Sequence, residues 1–322
     1  MKTFEAALLA AGLIMFGLLL KNMDFAYVAL SLSTVGVGFV LIIGQELVAH
    51  VFNALGWKYS LSPSLDKKIP FLSVLKMRIA GDGINYLTPS ATLAGEWSRA
   101  VMMGNSHTLE ERLSSVAIAK ITQAIAMVAA SITGLVWAFT SRINFGGMEG
   151  QMKSGGWLIA GMIIAIVLLE MRAAKTKKPD AAEDKKKEGI RSVWQQLKKV
   201  DREIMRFLRQ YPSRFAMSVL CFLVAYAWGA FEAYWICRFL GAPVTVSTAV
   251  LIELLSIFMD GIFFAVPGKA GTQEATKTAI FTALGMKPSA GFAFAVVRHI
   301  REIFWALTGF ALYYTHRRQQ QA

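Results

Sequence analysis

The stretch DGINYLTP at residues 82–89 occurs a second time, in the altered form DGIFFAVP, at residues 260–267. In both copies six residues follow the proline, then come a glutamate, two more residues and a base. These charged positions are Glu96 and Arg99 in the first copy, and Glu274 and Lys277 in the second. A chain that places glycine, proline and charge twice in the same order is typical of an internal repeat.

A single offset relates the two copies without a gap. Asp82 and Asp260 lie 178 positions apart, and the same offset places Lys120 on Arg298. Five of the fifteen positions from 82 to 96 are identical in the second copy, where unrelated sequence gives about one. The sequence therefore predicts an internal duplication. The two predicted repeats cover about residues 36–139 and 214–317.

The composition is that of a membrane protein. The chain has 322 residues, of which 55% are hydrophobic, and its mean hydropathy is +0.47. Several stretches of 17 to 27 residues carry almost no charge, and each is long enough to cross about 30 Å of hydrocarbon as a helix. A soluble helical core is the alternative, but such cores rarely carry so many of these stretches. The sequence predicts one all-α polytopic membrane domain over residues 1–322.

The apolar stretches predict about six transmembrane helices. They cover residues 4–20, 25–44, 113–139, 155–171, 214–239 and 290–315. The second is expected to extend in the same helix toward Trp57. Glu5 near the start of the first stretch, and the lack of a small-residue cleavage site before Lys21, favour an uncleaved span over a signal peptide. Basic residues beside the spans favour cytoplasmic N- and C-termini.

Most of the net charge of +13 lies in one loop. From Arg172 to Arg214 there are fourteen Lys and Arg against six Asp and Glu. Between two spans such an excess marks the cytoplasmic side, so no nucleic-acid partner is expected. Within this cytoplasmic loop, 172–213, the segment 190–211 has apolar residues at helical spacing with bases between them. It predicts an amphipathic helix, either on the anionic inner leaflet or docked on the protein's own cytoplasmic face.

The two segments that carry the repeated motif are poor ordinary spans. Gly83 and Pro89 interrupt the first, at 71–103, and a break from Pro267 to Thr272 interrupts the second, which starts near residue 246. Proline removes a backbone donor, and the residue before it avoids helical geometry. Each segment is therefore predicted to be a re-entrant hairpin of two half-helices. Such a break is tolerated at membrane depth only where protein or a water-filled cavity surrounds it.

The number of spans between the two hairpins predicts their relative orientation. Three predicted spans separate them, and an odd number of crossings inverts the second hairpin relative to the first. Inverted repeats with broken helices near the bilayer midplane are typical of an alternating-access substrate site. The predicted fold is thus an inverted repeat around a central site.

Ionisable side chains within the predicted membrane region carry the candidate chemistry. Each costs about 2.5 to 3.5 kcal/mol at mid-membrane on insertion scales, so they are expected to neutralise one another around a shared polar cavity. The spacing predicts direct pairs three or four residues apart: Glu96 with Arg99, Glu274 with Lys277, and Arg298 with Glu302. Purely structural pairing is the alternative role for these residues.

Bases on facing helices, together with the positive ends of the half-helices, form a pocket suited to an anionic group such as phosphate. Glycine amides in the second break allow a ligand to approach the backbone closely. The predicted substrate-binding residues are Asp82, Asn85, Pro89, Glu96, Arg99, Lys120, Asp260, Pro267, Gly268, Gly271, Glu274, Lys277, Arg298, Arg301 and Glu302. The four histidines show no ligand spacing, so neither a metal nor a cofactor is expected.

Several motifs together closely resemble the membrane region of the lysylphosphatidylglycerol synthases. They are the run from Asn53 to Lys58, the block Asn85-x3-Pro89-x5-Gly95-Glu96-x2-Arg99, the block Val266-Pro267-Gly268-x2-Gly271-x-Gln273-Glu274, and the ending Arg298-x2-Arg301-Glu302. The resemblance covers roughly residues 5–315. Within the family the chain is most similar to stand-alone flippase-like proteins associated with hopanoid biosynthesis.

The resemblance implies a bacterial inner-membrane protein with a flippase-like role, as the corresponding region of the synthases moves aminoacylated phosphatidylglycerol to the outer leaflet. Two departures qualify it. No soluble acyl-transferase domain follows residue 318, so the synthase reaction itself is expected to be absent. Ala94 and Ala270 stand where relatives often have glycine, and Lys269 adds a cation to the second break.

Together these observations predict a lipid flippase that moves an amphipathic, anionic or aminoacylated lipid between leaflets. One alternative is an enzyme that modifies a lipid or isoprenoid within the bilayer, with carboxylates of the repeated motif as acid and base. No nucleophile elbow, H-E-x-x-H motif or aspartate-rich diphosphate motif supports it. The other alternative is a non-catalytic organiser of a lipid-synthesis complex, contacted through 190–211. Phospholipid or hopanoid-type lipids are the expected partners, and a homo-oligomer is compatible with the pattern.

Overall fold

The computed structural model confirms the all-α fold class. It describes residues 30, 33–87, 93–104, 108–140, 202, 204–263, 269 and 271–321. Within those ranges every regular element is a helix and no strand occurs. The predicted spans 4–20 and 155–171, the lysine-rich start of the cytoplasmic loop and residues 190–201 of the predicted amphipathic helix lie outside the described residues.

The described helices follow the predicted order of spans and half-helices. They are α1 Gly38–Ser60, α2 Pro63–Lys68, α3 Phe71–Leu87, α4 Leu93–Met102, α5 Leu109–Thr140, α6 Pro212–Phe239, α7 Val246–Ile262, α8 Thr272–Ala283 and α9 Pro288–Gln321. The helices α3 and α4 flank the break around Pro89, and α7 and α8 flank the break around Pro267. Each broken segment is therefore two helices, as the glycines and prolines predict.

Three of the described helices are long and apolar enough to cross a membrane. They are α1, α5 and α6, judged by length and composition. The helix α9 is also long, but Arg298, Arg301 and Glu302 lower its mean hydropathy. A chain with several such helices is a membrane protein; the number of spans stays a prediction.

The predicted span 25–44 is corrected at its C-terminal half. A turn at residues 36 and 37, with Gly36 at φ +42°, separates the helical residues 33–35 from α1. The helix α1 then continues to Ser60, so the expected extension toward Trp57 is confirmed. Positive φ is a conformation that glycine adopts without the steric penalty of a Cβ atom, so Gly36 permits this turn.

The packing of the helices follows the sequence repeat. A shift of 178 positions moves α1 onto α6, α3 onto α7, α4 onto α8 and α5 onto α9, with only small differences at the ends. The long helix α9 packs against the broken helix α3, and α5 packs against α7. The helices α1 and α6 pack against each other. Exchange of the two halves therefore leaves this set of contacts unchanged.

Two apolar cores lie on either side of a polar zone. Along α1, Ile42 belongs to one core, with Phe281 and Phe294, whereas Trp57 belongs to the other, with Phe222. Between these two positions α1 presents polar side chains to the interior. The cores hold the helices together and leave a polar chamber between them, where the charged residues collect.

A close approach of two glycines sets the distance between α3 and α9. A Cβ atom on Gly83 would lie 2.6 Å from the backbone oxygen of Ala306 and 3.0 Å from the Cα atom of Gly309. Small residues at such a crossing let helix backbones approach, which is a main source of helix association in membranes. The motif glycine Gly83 therefore has a packing role in the first hairpin.

We expect Gly83→Ala to destabilise the protein by about 1 to 3 kcal/mol, the usual cost of overpacking, because the added methyl group meets backbone atoms that have little freedom to move. The matched control is Gly44→Ala on α1, where a Cβ atom would meet nothing within 4 Å. Thermal unfolding in detergent measures both variants. Equal unfolding temperatures for the two would contradict the assigned crossing.

The short connector α2, which lies outside the candidate spans, is anchored by ion pairs. Asp66 forms ion pairs with Lys58 at 2.6 Å and with Arg214 at 3.1 Å, which ties α2 to the ends of α1 and α6. Partial burial acts to raise the pKa of the Asp66 carboxyl, but the hydrogen bond from Lys58 and the charge of Arg214 outweigh it, and the pKa lies below its usual value. This carboxylate therefore stays ionised at neutral pH and fixes the connector.

The described end of the predicted amphipathic helix is helical over residues 204–210. Phe207 is buried, whereas Met205, Arg206 and Arg209 are exposed. Phe207 lines a small cavity together with Ser62 and other residues of the protein's body. This part of the helix therefore docks on the protein and leaves its bases outside.

Candidate functional site

The polar chamber consists of two cavities of about 330 Å³ and 280 Å³. The first is lined by Asp82 of α3 and the second by Asp260 of α7, the equivalent positions of the repeat. Both share the same group of lining residues, so they adjoin. The shared residues are Glu46, Asn53, Gln123, Lys269, Arg301 and Glu302.

Each wall of the first cavity is a polar stripe on one helix. Residues three or four apart share a helix face, so polar side chains at this spacing face the same space. The three stripes are Glu46, His50 and Asn53 on α1, Arg78, Asp82 and Tyr86 on α3, and Arg301, Glu302 and Trp305 on α9. The rest of these helices is largely apolar, which confines the polar groups to the chamber.

The first hairpin holds a chain of ion pairs. Asp82 accepts from Arg78 at 3.0 Å and also binds Arg99, which reaches back from the second half-helix. Arg99 binds Glu96 at 2.7 Å, so the predicted pair of these two residues is confirmed. Glu96 in turn accepts from Lys120 of α5 at 3.1 Å. The motif residues of the first repeat thus link α3, α4 and α5.

The second hairpin repeats one of these pairs at the same offset. Asp260 of α7 accepts from Lys277 of α8 at 2.7 Å, and the side chain of Lys277 has no exposed surface. This pair is equivalent to Asp82 and Arg99, since both positions are shifted by 178 residues. Each hairpin is therefore closed by an acid on its first half-helix and a base on its second.

Two predicted pairs are wrong. Lys277 binds Asp260 and not Glu274, because α8 turns that face toward α7. Glu274 instead contacts the Nδ1 atom of His299 on α9 at 2.6 Å. Arg298 does not bind Glu302 either.

The partners of Arg298 and Arg301 come from helices far away in sequence. Arg298 binds Glu232 of α6 at 3.1 Å and also Glu253 of α7. Arg301 binds the same Glu232 at 2.8 Å and Glu46 of α1 at 2.6 Å. Arg298 also lies over the ring of Phe294, 4.8 Å from its centroid, a cation–π contact. These two arginines therefore join four helices at the second cavity.

Lys269 connects the hairpin break to the last helix. Its Nζ atom lies 3.0 Å from Asp260 and 3.2 Å from Glu302. Its backbone has φ +51°, a left-handed conformation that is unusual for a residue with a side chain. Lys269 lines both cavities, so its ammonium group stands where they adjoin. Glu302 also accepts from Arg301 at 3.5 Å.

Of the remaining predicted site residues, two have roles in holding or capping helices, and three lie outside the described residues. The backbone amide of Gly95 donates to the Oδ1 atom of Asn85 at 2.7 Å, which ties the two halves of the first hairpin together. Gly271 has φ +74° and precedes α8 as its N-cap. Pro89, Pro267 and Gly268 lie outside the described residues.

Several chamber residues were not predicted from the sequence. They are Glu46, His50, Asn53, Arg78, Gln123, Glu232, Glu253 and Trp305. The three glutamates carry a usable signal, since each is a carboxylate within an otherwise apolar helix, which is costly without a partner. They have no charged equivalent at the 178-residue offset, so the repeat does not point to them. Within the described ranges, no cluster of three His, Cys, Asp or Glu side chains is placed to hold a metal ion.

Comparison with known families places the chain in a family of membrane proteins. The model of the family described as the lysylphosphatidylglycerol synthase TM region matches residues 5–309, nearly the whole chain. The chain belongs to this family. Membership shows a membrane protein involved in lipid handling, and the resemblance drawn from the motifs is confirmed at this level. No curated protein and no solved structure gives a significant match.

Proposed function

We propose that this member of the lysylphosphatidylglycerol synthase TM region family moves a lipid between the two leaflets by alternating access around the polar chamber. The observation that carries the proposal is the pair of equivalent ion pairs, Asp82 with Arg99 and Asp260 with Lys277. Each closes one broken hairpin, and the aspartate of each lines one of two adjoining cavities. Broken helices around a charged midplane site are the hallmark of alternating access.

The packing of the helices supports two structural repeats that exchange places around the chamber. The contact of α9 with α3 corresponds to that of α5 with α7. The contact between α1 and α6 maps onto itself when the two repeats are exchanged. If the second repeat is inverted in the bilayer, as the count of predicted spans indicates, the two hairpins open to opposite sides. Opening one while the other stays closed would then carry a head group across.

The charges in the chamber favour a head group that carries both signs. The bases that line the cavities, Arg78, Lys269, Arg298 and Arg301, each have a carboxylate partner. A purely anionic group would have to displace these carboxylates at a cost in buried charge. An amine and a phosphate on one lipid can instead exchange partners with existing ion pairs. Of the two lipid classes expected from the sequence, the aminoacylated one fits better.

We also propose a location and a subfamily for the protein. We place the protein in the bacterial inner membrane with both termini cytoplasmic, and among the stand-alone members associated with hopanoid biosynthesis, on the motif resemblance. The exposed bases of residues 204–210 are available to an anionic leaflet, since Phe207 faces the protein. The chamber itself is where the lipid head group is expected to bind.

Reconstitution tests the proposal directly. Purified protein in liposomes with fluorescently labelled phospholipid is expected to expose inner-leaflet label to a membrane-impermeant quencher faster than empty liposomes do. Glu46→Gln keeps the side-chain shape but removes a charge that lines both cavities, and we expect it to slow this movement at least about tenfold, a difference of about 1.4 kcal/mol in the barrier.

The matched control is Glu111→Gln. Glu111 is exposed at the start of α5, away from the two cavities, where it caps the amide of Thr108. Its substitution is expected to leave lipid movement unchanged. Lipid movement at the rate of empty liposomes by the wild type, or equal rates for wild type and Glu46→Gln, would contradict the proposed function.

A further inference from the structure

His50 is a buried imidazole without a hydrogen bond. It is 7% exposed, and neither ring nitrogen has a hydrogen-bond partner among the residues that the structure describes. It lies on α1 and lines the first cavity. Buried polar groups in proteins are nearly always hydrogen-bonded, so an unpaired imidazole that faces a cavity points to a missing partner.

The nearest charged group does not supply that partner. The Nδ1 atom of His50 is 3.9 Å from the Oδ2 atom of Asp82, too far for a hydrogen bond. Asp82 is held by Arg78 and Arg99, which explains its distance from the imidazole. On its other side His50 contacts the ring of Trp305, with the centroids 4.6 Å apart. The imidazole is thus fixed in place with its nitrogens unused.

The first cavity has balanced charge and several neutral polar groups. Its bases are Arg78, Lys269 and Arg301, and its acids are Glu46, Asp82 and Glu302. Beside them stand the neutral side chains of Asn53, Tyr86 and Gln123. An added anion would meet three carboxylates and an added cation would meet three bases, whereas a hydroxyl group meets neither penalty. A neutral imidazole both donates and accepts, which is the pairing that a hydroxyl group needs.

We propose that His50 is a specificity-determining residue that binds a hydroxyl group of the polar part of the transported lipid, so the first cavity selects polyol or sugar-like head groups. This inference rests on the proposed function and adds the substrate feature that the chamber reads. The ionic groups of the head group would lie toward the second cavity, where the ion pairs around Arg298 and Arg301 are concentrated. The volume of about 330 Å³ accommodates a group the size of roughly ten water molecules.

The test compares two lipids that differ only in hydroxyl groups. Dioctanoyl lysylphosphatidylglycerol and its analogue with 1,3-propanediol in place of glycerol carry the same charges of both signs and differ by one hydroxyl group. Purified protein in detergent is titrated with each lipid, and binding is followed by intrinsic tryptophan fluorescence. Wild type is expected to bind the glycerol lipid about tenfold more tightly, the effect of one or two ordinary hydrogen bonds. His50→Phe is expected to bind the two lipids equally.

Two further variants separate recognition from folding. His316→Phe, whose imidazole contacts the carbonyl of Met102 outside the cavities, is expected to keep the tenfold preference. His50→Gln retains a donor and an acceptor and is expected to keep about a threefold preference, even if His50→Phe unfolds. Free glycerol is expected to compete at least a hundredfold more weakly than the lipid. Glycerol that binds as tightly as the lipid in a His50-dependent way would overturn the head-group assignment.

The outcomes for the inference and for the proposed function are distinct. Equal binding of both lipids by the wild type would show that the cavity holds water only and would overturn the role of His50, while lipid transport would stand. Loss of all preference in His316→Phe as well would also overturn it. Failure of the wild type to bind either lipid would instead remove the proposed function, and the inference with it.

Discussion

Arg298→Met is expected to destabilise the protein by about 3 to 5 kcal/mol and to abolish lipid movement. Methionine keeps the apolar stem of the side chain and removes the charge. Glu253 then loses the partner it has on α9, and Glu232 keeps only Arg301. Removal of one partner of a buried ion pair typically costs this much because the remaining charge is left without compensation.

The size of this effect follows from burial. Arg298 is 5% exposed and Glu232 is 1% exposed, so water does not replace the lost contacts. The same substitution at an exposed arginine removes little, since surface ion pairs contribute about 0 to 1 kcal/mol. Arg238 at the end of α6 is exposed and serves as the matched control. Arg238→Met is expected to unfold at the wild-type temperature.

The buried thiols provide the measurement. Cys221 and Cys237 are both free and buried, so a thiol-reactive fluorescent dye reports their exposure on thermal unfolding. The double variant Arg298→Met with Glu253→Gln removes the stranded carboxylate and is expected to recover part of the lost stability. Two results would contradict the assigned pairing. One is that Arg298→Met unfolds at the wild-type temperature, and the other is that the double variant loses more stability than the two single variants lose together.

The sequence indicates which charged residues enter the chamber better than it indicates how they pair. Charges inside apolar stretches are costly enough that Asp82, Asp260 and Arg298 stand out by composition alone. The glycines and prolines that break α3 from α4 and α7 from α8 are equally visible, because their backbone preferences are local. Both properties are read from neighbouring residues along the chain.

Pairing depends on the rotation of each helix, which is set by packing. Glu274 and Lys277 have the right spacing for a direct pair, but α8 directs them to different neighbours, Glu274 to His299 and Lys277 to Asp260. Contacts such as that between Arg301 and Glu46 join residues far apart in the chain. No local pattern carries that information. His50 escapes sequence analysis for a related reason, since a single histidine gains meaning only from the cavity it lines.

The equivalent pair of the second hairpin distinguishes a structural from a functional role for the motif charges. Asp260→Asn leaves Lys277 fully buried without its partner, whereas Lys269 keeps Glu302. We expect this variant to lose about 3 to 5 kcal/mol of stability and all lipid movement. The double variant Asp260→Asn with Lys277→Met removes both charges, and buried ion pairs replaced by neutral side chains are often tolerated.

The double variant is therefore expected to unfold near the wild-type temperature and still to leave lipid in its original leaflet. Stability and transport then respond differently to the same pair of positions, because the helices pack without the ion pair but the head group has no charges to exchange with. Thermal unfolding and the liposome assay on one preparation measure the two properties. A double variant that is stable and moves lipid as fast as wild type would mean that Asp260 and Lys277 only hold α7 to α8, and that the transport site lies elsewhere in the chamber.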